Sequence, residues 1–227
     1  MHSTAVPKQF LELYGKPVII RTLEVFEAHP DVDGVVVACV EGWIDRLREL
    51  AARFGLAKLR SVVAGGATGH LSIRNGLMEW KRLGVPPDTF VMVHDGVRPL
   101  VTADDLTRNL AAARVHGGAV TTGPAVETIA LLGNDGLISQ LVPREKCRLA
   151  RAPQTFRLGD LLKAHGIAER DGRTDIIDTL TLMQNAGFPP AAAVEGTPEN
   201  INITPPPDFL LFKQIIEARE AQRGWVL

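Results

Sequence analysis

Four short stretches of this chain combine charge, glycine and position in ways suited to handling phosphates. Lys8 stands in Pro7-Lys8-Gln9-Phe10, just ahead of an apolar segment. A lysine ammonium is a compact charge that can neutralise a departing pyrophosphate; a solitary lysine also fits a solvated surface position. Gly65-Gly66 closes an apolar run, and Ser72 follows near the start of a helical stretch. Glycines there admit a planar base or a phosphate close to the backbone, and a helix N-terminus favours anions. An ordinary turn followed by a serine reads the same way. His94-Asp95-Gly96-Val97-Arg98-Pro99 ends another apolar run. Asp95 could hold a Mg²⁺ ion or accept from a substrate hydroxyl, and Arg98 could grip a phosphate with two N–H groups. A strand running into two charged residues and a proline is hard to explain as a plain turn. Arg144, in Val142-Pro143-Arg144-Glu145, could reach a phosphate or pair with Glu145.

The elements that must position these residues alternate in type. A helix is predicted from Pro17 to about His29, with Ile19, Leu23 and Phe26 on one face. Strands are predicted over Gly34–Val40, Arg60–Ala64, Thr89–His94 and Ala119–Thr122. Between them lie helices over Trp43–Phe54, Ser72–Leu83 and about Ala103–His116. Continuously apolar strands alternating with helices predict an α/β fold, with a mostly parallel sheet covered on both faces. From Pro124 to Ala150 the rhythm changes. Two β-prone runs, Val126–Leu132 and Leu137–Val142, flank Gly133-Asn134-Asp135-Gly136 and read as a hairpin. It is either an arm that packs on a partner or an extra antiparallel edge. Pro153-Gln154-Thr155-Phe156 reads as a rigid lead into a helix over Leu158–Ala168. Thr174, Asp175 and Asp178 read as caps of a helix over Ile177–Ala186. A strand over Ala192–Glu195 follows. Asn200–Pro205 alternates polar and apolar residues ahead of a last helix, about Pro207–Arg223. The expectation is one domain over 1–227 with a β-arm at about 124–150. A nucleotide site on such a sheet lies beyond the carboxyl end of a strand, with backbone N–H groups around the phosphates. Ahead of Lys8 there is neither strand nor glycine-rich loop, so the chain is expected either to lack them or to have lost the site's function.

Composition narrows the classes. The chain has 227 residues, 45% of them hydrophobic and 22% charged, with a net charge of −1. That profile is globular, and the balance of charge argues against a protein that coats nucleic acid. Cys39 and Cys147 form no cluster and are expected to be reduced thiols, without a structural zinc. No apolar run reaches the roughly 18 residues that span a bilayer, and no export signal is evident. A cytoplasmic protein is expected.

In order and spacing, Pro7-Lys8-Gln9-Phe10, Gly65-Gly66 with Ser72, His94-Asp95-x-x-Arg98-Pro99, Val142-Pro143-Arg144-Glu145, Pro153-Gln154-x-Phe156 and Val194-Glu195-Gly196 with Asn200-Ile201 form one set. The set closely resembles the 2-C-methyl-D-erythritol 4-phosphate cytidylyltransferase family, over essentially the whole chain. It is equally similar to the related ribitol-5-phosphate cytidylyltransferases. The resemblance implies a Rossmann-like nucleotidyltransferase three-layer sandwich and a homodimer locked by exchanged β-arms. It also implies transfer of CMP from CTP to a polyol phosphate, with Mg²⁺ or another divalent cation and release of pyrophosphate. By the same resemblance, Lys8 stabilises the triphosphate, and Gly66 and Ser72 contact the cytidine end, with Gly65 kept as a candidate beside them. Asp95 and Arg98 hold the substrate near the dimer interface; Asp95 is kept as the metal-ligand candidate on its residue type alone. Thr128 lies near the polyol phosphate, and Arg144 orients it.

Four departures from the family pattern stand out. The family's opening strand and G-x-G-x-R-M loop are absent, with Met1 where the loop's final Met would fall; a start assigned too late is expected. Asn202 replaces a lysine that faces the reacting phosphates, yet is retained as a substrate-binding candidate. Ala152 replaces a substrate-contacting threonine, beside an Arg151 that could restore charge. Gly69 replaces an arginine. Three readings follow: a cytidylyltransferase acting on methylerythritol phosphate for isoprenoid precursors, taken first; one acting on ribitol 5-phosphate or another polyol phosphate for envelope polymers; or a catalytically impaired nucleotide-binding paralogue.

Overall fold

The computed structural model describes residues 6–173, 176–204 and 206–224. A 3₁₀ turn, Lys8–Phe10, leads into a minimal hairpin of β1 (Glu12–Leu13) and β2 (Lys16–Pro17). Then follow α1 (Val18–Ala28), β3 (Val35–Cys39), α2 (Ile44–Arg53), β4 (Leu59–Ala64), α3 (Gly69–Arg82), β5 (Phe90–Val93), α4 (Ala103–His116) and β6 (Gly118–Pro124). The second half holds β7 (Ile129–Leu132), β8 (Ile138–Val142), a 3₁₀ turn Arg144–Lys146, β9 (Arg148–Arg157), α5 (Leu158–Arg170), α6 (Thr179–Asn185), β10 (Ala192–Glu195) and α7 (Pro206–Gly224). The fold is α/β, with helices packed against a mixed sheet.

Local chemistry sets most boundaries. Thr102 and Asp105 form a reciprocal capping box at the start of α4, and Gly117, at φ 82°, ends it. Helix α3 begins at Gly69 rather than the predicted Ser72, because the Thr68 hydroxyl accepts from the Leu71 N–H. Asp178 caps α6 by accepting from Thr181 N at 2.8 Å. The predicted capping roles of Thr174 and Asp175 lie outside the described residues.

β9 is where the structure differs most from the sequence reading. Pro153-Gln154-Thr155-Phe156 is not a lead into α5 but the second half of a ten-residue strand. A proline inside a run argues against a central strand. Here the ladder accommodates it with a bulge: Val120 pairs with Gln154 and Thr121 with Arg151, leaving Ala152 and Pro153 out of register. β9 runs antiparallel to both β6 and β5, and β10 lies parallel to β6, giving the order β10-β6-β9-β5.

β3 and β4 form a separate parallel pair. Between β3 and β5 the sheet is interrupted by a cavity of about 930 Å³. Both strands are apolar, as predicted, but residues 35–38 and 90–93 are only half-buried, whereas residues 118–123 of β6 are buried throughout. The arm strands β7 and β8 pair with each other from Ile129↔Val142 to Leu132↔Ile138. They leave Leu132, Leu137, Ile138 and Leu141 exposed.

Candidate active site

The carboxyl ends of β3, β4 and β5 share one rim, and Lys8, Ser72, Asp95 and Asn202 all line the cavity there. Four of the predicted residues join a single polar chain. Lys8 Nζ donates to Thr204 Oγ1 at 3.0 Å, and Thr204 donates on to Asn202 Oδ1 at 3.1 Å. Asn202 Nδ2 stands 3.5 Å from Asp95 Oδ2, which also accepts from Arg98 Nε at 2.7 Å. Arg98 Nη1 is fixed by the Asn200 carbonyl at 3.0 Å, and its side chain is only 12% exposed. Asn200 is itself buried, donating to the Ala152 carbonyl at 2.8 Å. The segment after β10 is thereby tied to β9 on one side and to the Asp95–Arg98 turn on the other. Thr204 was not singled out from sequence, and Asn200 entered only as part of the Asn200-Ile201 motif, without a role. The alternation of Asn200, Asn202 and Thr204 with Ile201 and Ile203 was the available signal. The isoleucines pack into the core beside Val97 and Phe212 and turn the polar set toward the site.

The glycine candidates occupy the β4 side of the rim. Gly65 N donates to Cys39 O at 2.7 Å, joining the ends of β4 and β3. Gly66 N donates to Ser72 Oγ at 3.0 Å, and Ser72 in turn donates to the Thr68 carbonyl at 2.9 Å. A side chain at Gly66 would meet Leu71 Cβ at 2.4 Å, so only glycine fits there.

Three residues support the rim. Buried Asp105 accepts from Thr197 N at 2.9 Å, fixing the start of the Asn200 segment to α4. Burial pushes its carboxyl up, but the N–H groups of Thr197 and Thr102 outweigh that and hold it below its ordinary value. His94 is half-buried, its ring packed against Phe26 with centroids 5.1 Å apart. Burial pushes it down to about 4, against the opposing pull of Asp95, so it is neutral near pH 7. Arg151 reaches the Thr197 and Pro198 carbonyls at 3.4 and 3.2 Å, with its guanidinium against Gly123. Burial and the nearby Arg98 both lower its affinity for its proton.

Thr128 and Arg144 are not brought to this rim. Both are exposed at the foot of the arm, where the Ile129↔Val142 pairing makes them near neighbours. Arg144 donates to the Val126 carbonyl at 3.4 Å. Its sequence-predicted pairing with Glu145 does not form among the described residues, because the 3₁₀ turn directs the guanidinium back across the arm.

The sequence profile of the IspD, or 2-C-methyl-D-erythritol 4-phosphate cytidylyltransferase, family matches residues 2–218. The chain belongs to the IspD cytidylyltransferase family. Within it, a ribitol-5-phosphate cytidylyltransferase from Vibrio parahaemolyticus is 46% identical over 97% of this chain and 92% of that protein. A 2-C-methyl-D-erythritol 4-phosphate cytidylyltransferase from Geobacter metallireducens is 38% identical over 95% of this chain and 91% of that one. The crystal structure of the methylerythritol-phosphate enzyme from Thermus thermophilus superposes with a TM-score of 0.72 at 31% identity. It covers 92% of this chain and 93% of its own. Among the described residues of this cytidylyltransferase there is no group of three or more His, Cys, Asp or Glu able to cage a metal. Asp95 offers one carboxylate, with Arg98 and Asn202 both on Oδ2. That donor set fits Mg²⁺, which commonly takes one or two protein carboxylates and fills its shell with water and phosphate oxygens. No described helix is long and apolar enough to cross a membrane.

Proposed function

We propose that this chain transfers CMP from CTP to ribitol 5-phosphate, with release of pyrophosphate. The observation that carries the transfer reading is the polar chain Lys8–Thr204–Asn202–Asp95–Arg98, opening on the same cavity as Ser72. Gly65, Gly66 and Ser72 receive the cytidine end, while Lys8 faces the triphosphate. Asp95, Arg98 and Asn202 hold the acceptor. An oxygen of the acceptor phosphate attacks the α-phosphorus in line. The bond from that phosphorus to the bridging oxygen of the β-phosphate breaks, and its electrons leave with pyrophosphate. The acceptor is already anionic, so no side chain need take a proton. Catalysis is alignment and charge neutralisation. Asp95 would hold Mg²⁺, which when bound adds positive charge beside the phosphates.

Thr128 and Arg144 act on the acceptor phosphate from the arm of a second copy. The exposed apolar arm residues supply the contact in a homodimer. The choice of ribitol 5-phosphate is supported by the relative that is 46% identical. Two changed residues on the substrate side, Asn202 and Ala152, agree with an acceptor other than methylerythritol phosphate. Methylerythritol phosphate, the acceptor taken first from sequence, is the second reading, supported by the name of the matching family and the relative at 38%.

CTP-dependent pyrophosphate release, measured with Mg²⁺ and each acceptor separately, tests both readings. Release with ribitol 5-phosphate alone is expected. Release with methylerythritol phosphate alone would move the protein to isoprenoid precursor synthesis. CTP binding without turnover of either acceptor would leave the impaired paralogue.

A further inference from the structure

Among the described residues, half-buried Arg151 has no carboxylate partner. Its guanidinium lies over the carboxyl ends of β6 and β10, flat against Gly123. A Cβ at that glycine would meet Cζ at 2.7 Å and Nη2 at 2.8 Å, so only glycine leaves room for the group. One nitrogen, Nη1, makes both contacts to the Thr197 and Pro198 carbonyls. Nε and Nη2 donate to nothing among the described residues. The carboxylates of this region are committed elsewhere: Asp95 to Arg98, Glu199 to Arg219, and Asp105 to Arg108 and the backbone of Thr102 and Thr197. The charge that acts on Arg151 is that of a second arginine, Arg98, and an arginine cannot shed its proton to relieve the repulsion. Arg98 grips the same segment two residues on, at the Asn200 carbonyl, and its Nη2 is likewise without a partner among the described residues. Anchoring the segment does not call for a second cation. Thr197 N is already held by Asp105, and Asn200 by the Ala152 carbonyl.

We propose that Arg151 is an acceptor-binding residue, paired with Arg98 in a two-arginine clamp on the phosphate monoester of the acceptor. The clamp deepens the cytidylyl-transfer reading and rests on it. A guanidinium presents a planar fork that matches two phosphate oxygens, and the unspent N–H groups of both arginines are the donors a dianionic group takes. A neutral polyol chain would leave the repulsion between the two guanidiniums in place; a phosphate between them removes it. Neither arginine lines the cavity that Lys8, Ser72, Asp95 and Asn202 share. The clamp lies on the other side of Asp95, so it meets the acceptor and not the nucleotide.

Two variants test it. Arg151→Met keeps the stem and its packing, and Arg151→Lys keeps a charge. Steady-state kinetics with ribitol 5-phosphate and CTP are read beside Tm. Arg151→Met is expected to raise KM for ribitol 5-phosphate about tenfold or more, with KM for CTP and Tm near those of the parent. Arg151→Lys is expected to recover part of the loss. An unchanged KM for ribitol 5-phosphate in Arg151→Met would overturn the proposal. So would a rise in both KM values together with a fall in Tm, as expected of a residue that only props the Thr197 segment. A second readout needs no turnover. With CTP present to occupy the cavity, inorganic phosphate is expected to raise the Tm of the parent, and that of Arg151→Met less. That result in a protein that turns over neither acceptor would uphold the clamp and retire the transfer reading. Equal shifts in both proteins would retire the clamp, whatever the turnover.

Discussion

Arg98 is anchored twice, by the Asp95 carboxylate and by the Asn200 carbonyl, and it sits between the turn after β5 and the segment after β10. Its removal should strip charge from the acceptor side while leaving the core clusters untouched. Arg98→Ala is expected to lower turnover by roughly a hundredfold or more, with Tm and circular dichroism near those of the parent. Unchanged turnover would remove Arg98 from the site. His165 gives a second residue-level test. It is buried against His70, with ring centroids 4.4 Å apart, and neither of its ring nitrogens finds a partner among the described residues. Burial, then His70 and Arg74, push it down to about 4. The unfolded chain therefore takes up this proton first, as pH falls through about 6.5. Stability is lost between about pH 6.5 and 4 and levels off below. In His165→Leu that part of the loss should vanish, which denaturant titrations at pH 7 and 4.5 would register as a smaller difference than in the parent.

At the scale of elements, caps and turns give sharp expectations. Thr102→Ala removes one arm of the capping box on α4, and with it a bond that orients Asp105 toward the Thr197 segment. A loss of about 1 kcal/mol in unfolding free energy is expected by denaturant titration. Gly66→Ala places a methyl group on Leu71 and should cost about 1–3 kcal/mol, together with weaker CTP binding in calorimetry. Helices and apolar strands were legible because their signals are local: the period of α1 and the Asp178 cap of α6. β9 was not, because Pro153 made its second half read as a rigid lead into a helix. Only the bulge opposite Val120 and Thr121 explains how it enters a ladder. The site divided along the same line. Asp95 and Arg98 were legible as charges ending an apolar strand. Thr204 and Asn200 matter through neighbours about a hundred residues or more away, Arg98 for Asn200 and Lys8 for Thr204, which no local pattern reveals.

The whole molecule carries its candidate residues in two places. Lys8, Ser72, Asp95, Arg98 and Asn202 gather at the rim, while Thr128 and Arg144 ride on the arm. If arms are exchanged in a homodimer, each complete site draws on two chains. Arg98→Ala and Arg144→Ala proteins, each nearly inactive alone, should then regain turnover when unfolded together and refolded as a mixture. No recovery would confine each site to one chain. The topology of β9 also bears on synthesis. β5 leaves the ribosome early, yet the strand that covers its edge, residues 154–157, follows only after α4, β6 and the arm have been made. At about 5–20 residues per second, that is a wait of several seconds with an apolar edge uncovered. The nascent chain therefore cannot close this sheet progressively from its amino end. It must hold β5 open until more than two-thirds of the polypeptide has emerged, which makes this edge a natural point of chaperone engagement.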